Sequence, residues 1–508
     1  MDELKALVVV LGLSLPVFWI ARAPATAVAV DPADFARRRN LWIAITLLAF
    51  LSHSFWIYIV GAALLTVFTA QREPNRLALF LAVMLAIPTF AEVIPGFGGI
   101  QQIISISHVR MLSMVVLLPA YVAIRRQPGV LPFGRTMADR CLFGYLALQL
   151  LLQMSAASFT GIARYAIYSV TDVFLPYYVA SRGLRDLRAF RDVVMTLVLA
   201  VVVMAPVAVF EYFRHWLLYS GLSASMGIFD KMGAYMDRGG NLRAVVTASH
   251  SIVLGYLATV ALGLFVFARR FIAGRGISGL ALAMLLVTLV ASGARGPWVG
   301  SAAVLAMVVL TGPDKFKRGI RILLIAVPIL AALSFTEQGR RLFDVLPFIG
   351  TVDTDSIDYR QQLFDTSMRV IAQNPWFGAF DYLVNPAMQD LITGDGIIDV
   401  VNSFLGVALT FGVVGLSLFA GVFVFSGWGV WAALRRADPR DESSLLGRAL
   451  LATLIGVMVT IVTVSSISVV PWVYWMLAGL CVGYPQLVPE ASPAAASVAP
   501  ARGVHLRA

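Results

Sequence analysis

The 508-residue chain is 59% hydrophobic and only 13% charged, with a mean hydropathy of +0.84. A soluble domain carries about 25% charged residues, so charge this sparse excludes a water-soluble globule of this size and is enough only for short loops between buried spans. The net charge of +11 and pI near 9.9 mark basic loops facing anionic headgroups, and no basic patch with interleaved aromatics stands outside the apolar runs, which argues against a nucleic-acid partner.

Leu4–Ile20 opens the chain as an apolar run without a clean cleavage site and reads as a retained span. Leu41–Ala70 is long and broken by Ser52-His53-Ser54, so it is one tilted helix or a tight hairpin. Further runs follow at Leu77–Phe90, Met111–Ile124, Cys141–Met154, Ala166–Ala180, Val193–Phe210 and Ile252–Phe267. The series continues at Leu280–Ala291, Trp298–Thr311, Ile322–Phe335, Phe404–Leu434, Ala449–Val464 and Val470–Val488. The expectation is an all-α polytopic membrane protein of about 14 transmembrane helices, within a range of about 12 to 15. Cys141 and Cys481 lie in separate apolar runs and support neither a disulfide nor a thiolate metal site.

Every second connection from Arg125 onward is short and arginine-rich, which places those connections and the Ala/Pro/Ser-rich tail on the cytoplasmic side. The opposite connections then face outward, and two are long: Arg214–Ser249 and Thr336–Val401. The expected organisation is a first bundle over 1–335 with an outer loop at 214–249, a large periplasmic loop over 336–401 with an amphipathic helix, C-terminal spans over 402–488, and a disordered cytoplasmic tail over 489–508.

Three outward places hold arginine against the positive-inside bias. Ser292-Gly293-Ala294-Arg295-Gly296-Pro297 is a small-residue break that lets an anion approach closely. Asp358-Tyr359-Arg360 opens a segment in which Phe364, Met368, Val370 and Ile371 fit one apolar side of a surface helix. Arg238 and Arg243 flank Gly239-Gly240-Asn241-Leu242 before the span at Ile252. Arginine's planar fork keeps its charge when partly desolvated, so these residues are candidates to clamp a pyrophosphate. No Walker-type loop and no His-Glu-x-x-His occurs, and Asp353-Thr354-Asp355 reads as a solvated acidic loop. The histidines His53, His108, His215, His250 and His505 do not cluster, and each reads as structural or interfacial.

The stretch from Arg295 to Leu416 resembles the bacterial O-antigen ligase and polysaccharide polymerase superfamily. Ser292-Gly293-Ala294-Arg295-Gly296 resembles its Ser-Arg-Gly junction with an insertion, and Tyr359-Arg360 resembles the arginine that opens its large outer loop. Asn374-Pro375-Trp376-Phe377-Gly378 resembles its Asn-Pro-Leu-Phe-Gly segment, and Val401-Asn402 with Gly412, Gly415 and Leu416 keeps the spacing of the ligase signature. That signature begins with histidine, proposed to activate the acceptor hydroxyl; here Val401 stands in its place. The departure favours the polymerase branch and leaves the general base open, with Asp358 and Asp399 as candidates.

The resemblance implies a GT-C-like helical bundle with a lipid groove opening to an outer cavity. It implies an inner-membrane glycosyltransferase that polymerises undecaprenyl-diphosphate-linked repeat units at the periplasmic face, metal-independent and without a cofactor. Arg295 and Arg360 would stabilise the leaving diphosphate, Arg238 and Arg243 would assist, and Tyr359 and Asn402 would bind substrate. Asn402 reads equally well as a helix N-cap, and Gly412 and Gly415 as close-packing positions. The partners are lipid-linked glycans and membrane lipid, with room for a polysaccharide chain-length regulator. The alternatives are a ligase of the same superfamily and a lipid-linked oligosaccharide flippase.

Overall fold

The computed structural model describes residues 2–488 apart from 99–101, 157, 229–236, 239–240, most of 313–353, and 393–397. The expected run Ile322–Phe335, the start of the large loop, Asp353 and the tail from 489 therefore lie outside the described residues.

Helix formation follows the apolar runs. The chain begins with α1 (Asp2–Thr26), α2 (Pro32–Leu51), α3 (Phe55–Ala70) and α4 (Arg76–Met84). Asp31 caps α2 through its side chain, and Pro32 takes the first helical position, where a missing N–H costs nothing. At the Ser52-His53-Ser54 break, His53 adopts φ 48° and the chain reverses, with Gly61 of α3 against Leu48 of α2. Of the two readings of Leu41–Ala70, the tight hairpin is the one formed.

The run Leu77–Phe90 is corrected. The helix ends at Met84 and is nine residues long, too short to cross a bilayer that needs about 20. The chain then enters an antiparallel hairpin, β1 (Ala91–Pro95) and β2 (Gln102–Ser107), with Ala91 opposite Ser107. A second, smaller hairpin pairs β3 (Asp237–Arg238) with β4 (Asn241–Leu242). The architecture is thus mostly helical with two short hairpins.

Among the described residues the longer helices that follow are α5 (His108–Arg125), α6 (Met137–Ala156), α7 (Phe159–Tyr168), α8 (Leu175–Arg182) and α9 (Leu187–Arg214). A π-turn over Ser169–Phe174 joins α7 to α8. Then come α10 (Ser251–Ala268), α11 (Arg275–Ala291), α12 (Arg295–Leu310), α13 (Thr354–Gln373), α14 (Ser403–Leu434), α15 (Glu442–Ile461) and α16 (Val470–Gly483). Among the described residues six helices are long and apolar enough to cross a membrane: α1, α5, α9, α10, α14 and α15. Three shorter apolar helices, α3, α11 and α12, accompany them. An all-α membrane protein is supported; the expected count of about 14 is not reached by helices of sufficient length.

Helix α10 is the hub. It packs on α9, α11, α12 and α15 and is almost wholly buried. At one end of the bundle, several arginines are consumed in ion pairs. Arg182 binds Asp139 at 2.7 Å with both side chains fully buried, and Arg38 bridges Glu73 at 2.6 Å and Asp192 at 2.5 Å. Arg191 pairs with Glu442, tying α9 to the start of α15. These contacts fix one end firmly and leave the opposite end to the candidate site.

The helix expected after Arg360 is present as α13, but its buried side is Leu363, Thr366, Ser367 and Val370. Phe364 and Met368 are exposed. Half of the expected stripe holds: Val370 is buried with Leu363, Met388, Leu391, Leu405 and Leu409 in a small separate core on which Ile371 packs, while Leu363 takes the inward place expected of Phe364 and Met368.

Candidate functional site

The site begins at Glu211, near the end of α9. Its buried carboxylate accepts the Leu218, Val245 and Val246 N–H groups at 2.9–3.1 Å. This pins the loop that carries Arg243. Val246 is held at φ 51° and Ser249 at φ 70°, conformations that cost a non-glycine residue about 1–3 kcal/mol and that collect at functional sites. The Ala244 N–H donates to the Ala291 carbonyl at 3.0 Å, docking the same loop on the end of α11.

Arg243 then crosses Gly293. Its Nε donates to the Ser292 carbonyl at 3.3 Å. Gly293 has φ 56°, which favours glycine, and a Cβ there would sit 3.2 Å from Arg243 Cγ, pressing on the crossing side chain. Two residues on, Arg295 is the first residue of α12. Arg243 and Arg295, predicted from separate loops, are thus brought to one corner.

Helix α10 starts beside this corner. A Cβ on Gly255 would meet Ser292 Oγ at 2.7 Å and Pro297 Cγ at 2.9 Å, and Thr259 Oγ1 donates to the Pro297 carbonyl at 2.9 Å. The N-termini of α10 and α12 therefore lie side by side, and each brings the positive end of its helix dipole to this corner. His250 is the N-cap of α10: its Nδ1 accepts the Ile252 N–H at 3.1 Å. Burial, and then the nearby Arg243 charge, push its pKa down to about 4. The ring is neutral at physiological pH.

A band of hydroxyls continues from there. Thr89 Oγ1 lies 3.1 Å from Ser249 Oγ and 2.8 Å from Ser468 Oγ, and Ser468 Oγ donates to the Ala248 carbonyl at 3.1 Å. Ser468 is itself strained, at φ 50°. Ser466 Oγ donates to Ser403 Oγ at 2.8 Å, at the start of α14.

Asn402 is the N-cap of α14, with Oδ1 accepting the Phe404 and Leu405 N–H groups at 3.0 and 3.1 Å. Of its two sequence readings the cap is the one built. Asp399 is exposed; Ser465 Oγ donates to its Oδ1 at 2.9 Å. The Tyr359 hydroxyl donates to the Asp399 carbonyl and accepts the Asp399 N–H, both at 3.1 Å. Partial burial raises the Tyr359 pKa, opposed by its hydrogen bond to the Asp399 backbone and aided by the Asp399 carboxylate. Thr463 packs on Gly296, so the path Arg295–Gly296, Thr463–Ser465, Asp399, Tyr359–Arg360 joins the two arginine motifs at one end of the bundle. Arg360 and Asp358 are exposed on α13. Arg238 falls in β3, and its side chain lies outside the described ones.

The last two motifs meet directly. Helix α14 breaks at Gly412, at φ 65° and ψ −167°. The Val413 and Val414 N–H groups freed by the break donate to the Pro375 and Trp376 carbonyls at 2.8 and 3.2 Å, and the Ala379 N–H donates to the Leu409 carbonyl at 2.9 Å. Gly412 is therefore a seat for the Asn374–Gly378 segment, in place of the helix-packing role expected for it. Gly415 does face α6, near Leu148.

The sequence reading missed His250 and Glu211. A signal existed for the first: His250 immediately precedes an apolar run and lies seven residues after Arg243. The fold and site define a multi-pass, mostly helical membrane protein with a cationic corner at paired helix N-termini. Residues 280–420 match the family model described as O-antigen ligase. The chain is also similar to the O-antigen ligase of Pseudomonas aeruginosa, 28% identical over 148 residues, which is 29% of this chain and 33% of that protein. These matches support the O-antigen ligase superfamily, and the matched segment contains Arg295, Arg360, Asn402 and the Gly412 seat.

Proposed function

We propose that the protein transfers a glycan from a lipid diphosphate to an acceptor hydroxyl, as a ligase of the O-antigen ligase superfamily. The observation that carries this reading is Arg243 folded over Gly293 beside Arg295, at the joined N-termini of α10 and α12. As the acceptor oxygen attacks the anomeric carbon, the bond to the diphosphate oxygen breaks and negative charge grows on the phosphates. Guanidinium groups and helix N-termini already aimed there stabilise that charge by several kcal/mol without reorganising. Arg360 lies further along the same end and assists. Asp399 and Asp358 remain the candidates for receiving the acceptor proton. The membrane side is the periplasmic face of the inner membrane, in keeping with the basic loops at the other end.

The lipid has a route. A cleft of about 970 Å³ lies between α11 and α12 on a floor of α10, lined by Leu262, Leu282, Leu286, Ser301, Val304 and Leu305. Its lining includes Ser301, under two turns along α12 from Arg295. The lining is mostly apolar, with Arg269 and Arg270 at the end away from Arg295, and such a cleft suits a polyprenyl tail whose headgroup sits at Arg295 and Arg243.

The name of the relative and of the matched family supports the ligase reading. A specific observation supports a second: Val401 stands where the ligase signature has histidine, and valine cannot accept a proton, which favours a polymerase that extends lipid-linked repeats. Purified protein in lipid, given a lipid-diphosphate-linked oligosaccharide and separate acceptors, tests both. A ligase moves glycan to the added acceptor. A polymerase lengthens the lipid-linked product itself. No glycan leaving the diphosphate under either condition would overturn the proposal.

A further inference from the structure

His250 is a neutral ring that feels the Arg243 charge of the cationic corner, and the resemblance assigns it no role. Three local features fix its ring. The Ile252 N–H donates to Nδ1, so Nδ1 must be unprotonated and the ring proton must sit on Nε2. Ser249, the residue before it, is locked in the left-handed region, with its Oγ accepting the Thr89 N–H at 3.0 Å. Ala248, one residue earlier, is held by Ser468. Among the described residues the structure gives Nε2 no partner.

We propose that His250 is a neutral hydrogen-bond donor to the donor lipid's diphosphate, with its Nε2–H directed at a phosphate oxygen held by Arg243 and Arg295. The proposal rests on the anion-site reading of that corner. It also follows from the chemistry of the position. A histidine in this tautomer has no free lone pair at Nε2, so it cannot be the missing general base. What it offers is a directional N–H that adds no net charge to a corner already holding two arginines. Low proton affinity suits that task, since a protonated ring would give up the cap bond to Ile252. The N-terminus of α10 adds its dipole behind the ring. The role is binding and charge stabilisation of the leaving group; no proton is transferred by His250.

The test uses the full chain in nanodiscs with geranylgeranyl diphosphate as probe. His250→Asn keeps a good N-cap oxygen but removes the ring N–H. It is expected to weaken diphosphate binding about tenfold, the scale of one hydrogen bond to a charged group, while the thermal unfolding midpoint at neutral pH stays near wild type. Arg243→Ala and Arg295→Ala are expected to weaken binding more. Wild-type binding by His250→Asn, with binding lost in the arginine variants, overturns the His250 role and leaves the anion site standing. Wild-type binding in all three overturns both. A measurement on the unsubstituted protein closes the case: with 15N-labelled histidine, the His250 Nε2 proton should move downfield on addition of the diphosphate. An unmoved signal at saturation overturns the proposal.

Discussion

The carboxylate of Glu211 accepts three backbone N–H groups, from Leu218, Val245 and Val246, and Arg243 leaves the chain two residues before the second of them. A single acidic side chain thus holds a strained turn and aims a basic one. Glu211→Gln keeps the size but replaces one acceptor oxygen with an NH₂ group facing donors. It should cost about 1–3 kcal/mol, the penalty for a buried donor left unpaired, read as a lowered midpoint of thermal unfolding in detergent. It should also lower glycan transfer, because Arg243 loses its anchor. A wild-type midpoint would show that the Val246 turn stands without Glu211. His250 gives a pH dependence at the same scale. Its folded pKa is near 4 against an ordinary 6.5, so the unfolded chain binds the proton more readily. Its contribution to stability is fully present above pH 6.5 and is lost as pH falls from 6.5 toward 4. His250→Asn should flatten that part of the stability profile, measured by thermal unfolding across buffers; an unchanged slope would contradict the assignment.

At the scale of elements, the Gly412 break converts two turns of α14 into a docking surface for residues 374–379. A Cβ on Gly378 would lie 2.5 Å from the Leu409 carbonyl oxygen and 2.7 Å from the Gly412 nitrogen, so the segment and the helix touch backbone to backbone. Gly412→Ala is expected to cost about 1–3 kcal/mol in backbone strain alone and to expose the Trp376–Phe377 segment to limited proteolysis at a rate well above wild type. Equal proteolysis rates would sink this account of the seat. Both segments were visible in the sequence as motifs, because a motif is local. Their contact was not, since nothing in Asn374–Gly378 states which carbonyls will meet which N–H groups. The same limit explains α4. Leu77–Phe90 is apolar throughout, and hydropathy alone cannot separate a short buried helix followed by a hairpin from a span. Conversely, the Ser52-His53-Ser54 break was legible as an interruption, because three polar residues stand inside an apolar run, but choosing the hairpin over one tilted helix needed the contact of Gly61 with Leu48.

At the scale of the molecule, the apolar runs and arginine-rich loops made the membrane class readable from composition, and most of the runs that fall on described residues are helical, though only six of those helices are long and apolar enough to cross a membrane. The candidate site was half readable. Arg295, Arg360 and Arg243 could be picked out because arginine outside its expected loops is conspicuous, whereas the pairing of α10 with α12 and the docking of the Arg243 loop on Ser292 and Gly293 depend on tertiary packing. That packing also forms the cleft between α11 and α12. If a polyprenyl tail lies there, Ser301→Trp should slow transfer from a long polyprenyl donor far more than from a short-chain one, in assays with purified protein. An equal effect on both donors would place the tail elsewhere. The central claim is that Arg295 and Arg243 stabilise the departing diphosphate. Its most direct test is the steady-state rate of glycan transfer by correctly inserted Arg295→Ala, with Arg243→Ala beside it. The expected result is a fall in kcat of about 10²–10³-fold, the scale of removing one preorganised charge-stabilising donor. A kcat within about twofold of wild type, well inside that scale, would contradict the account.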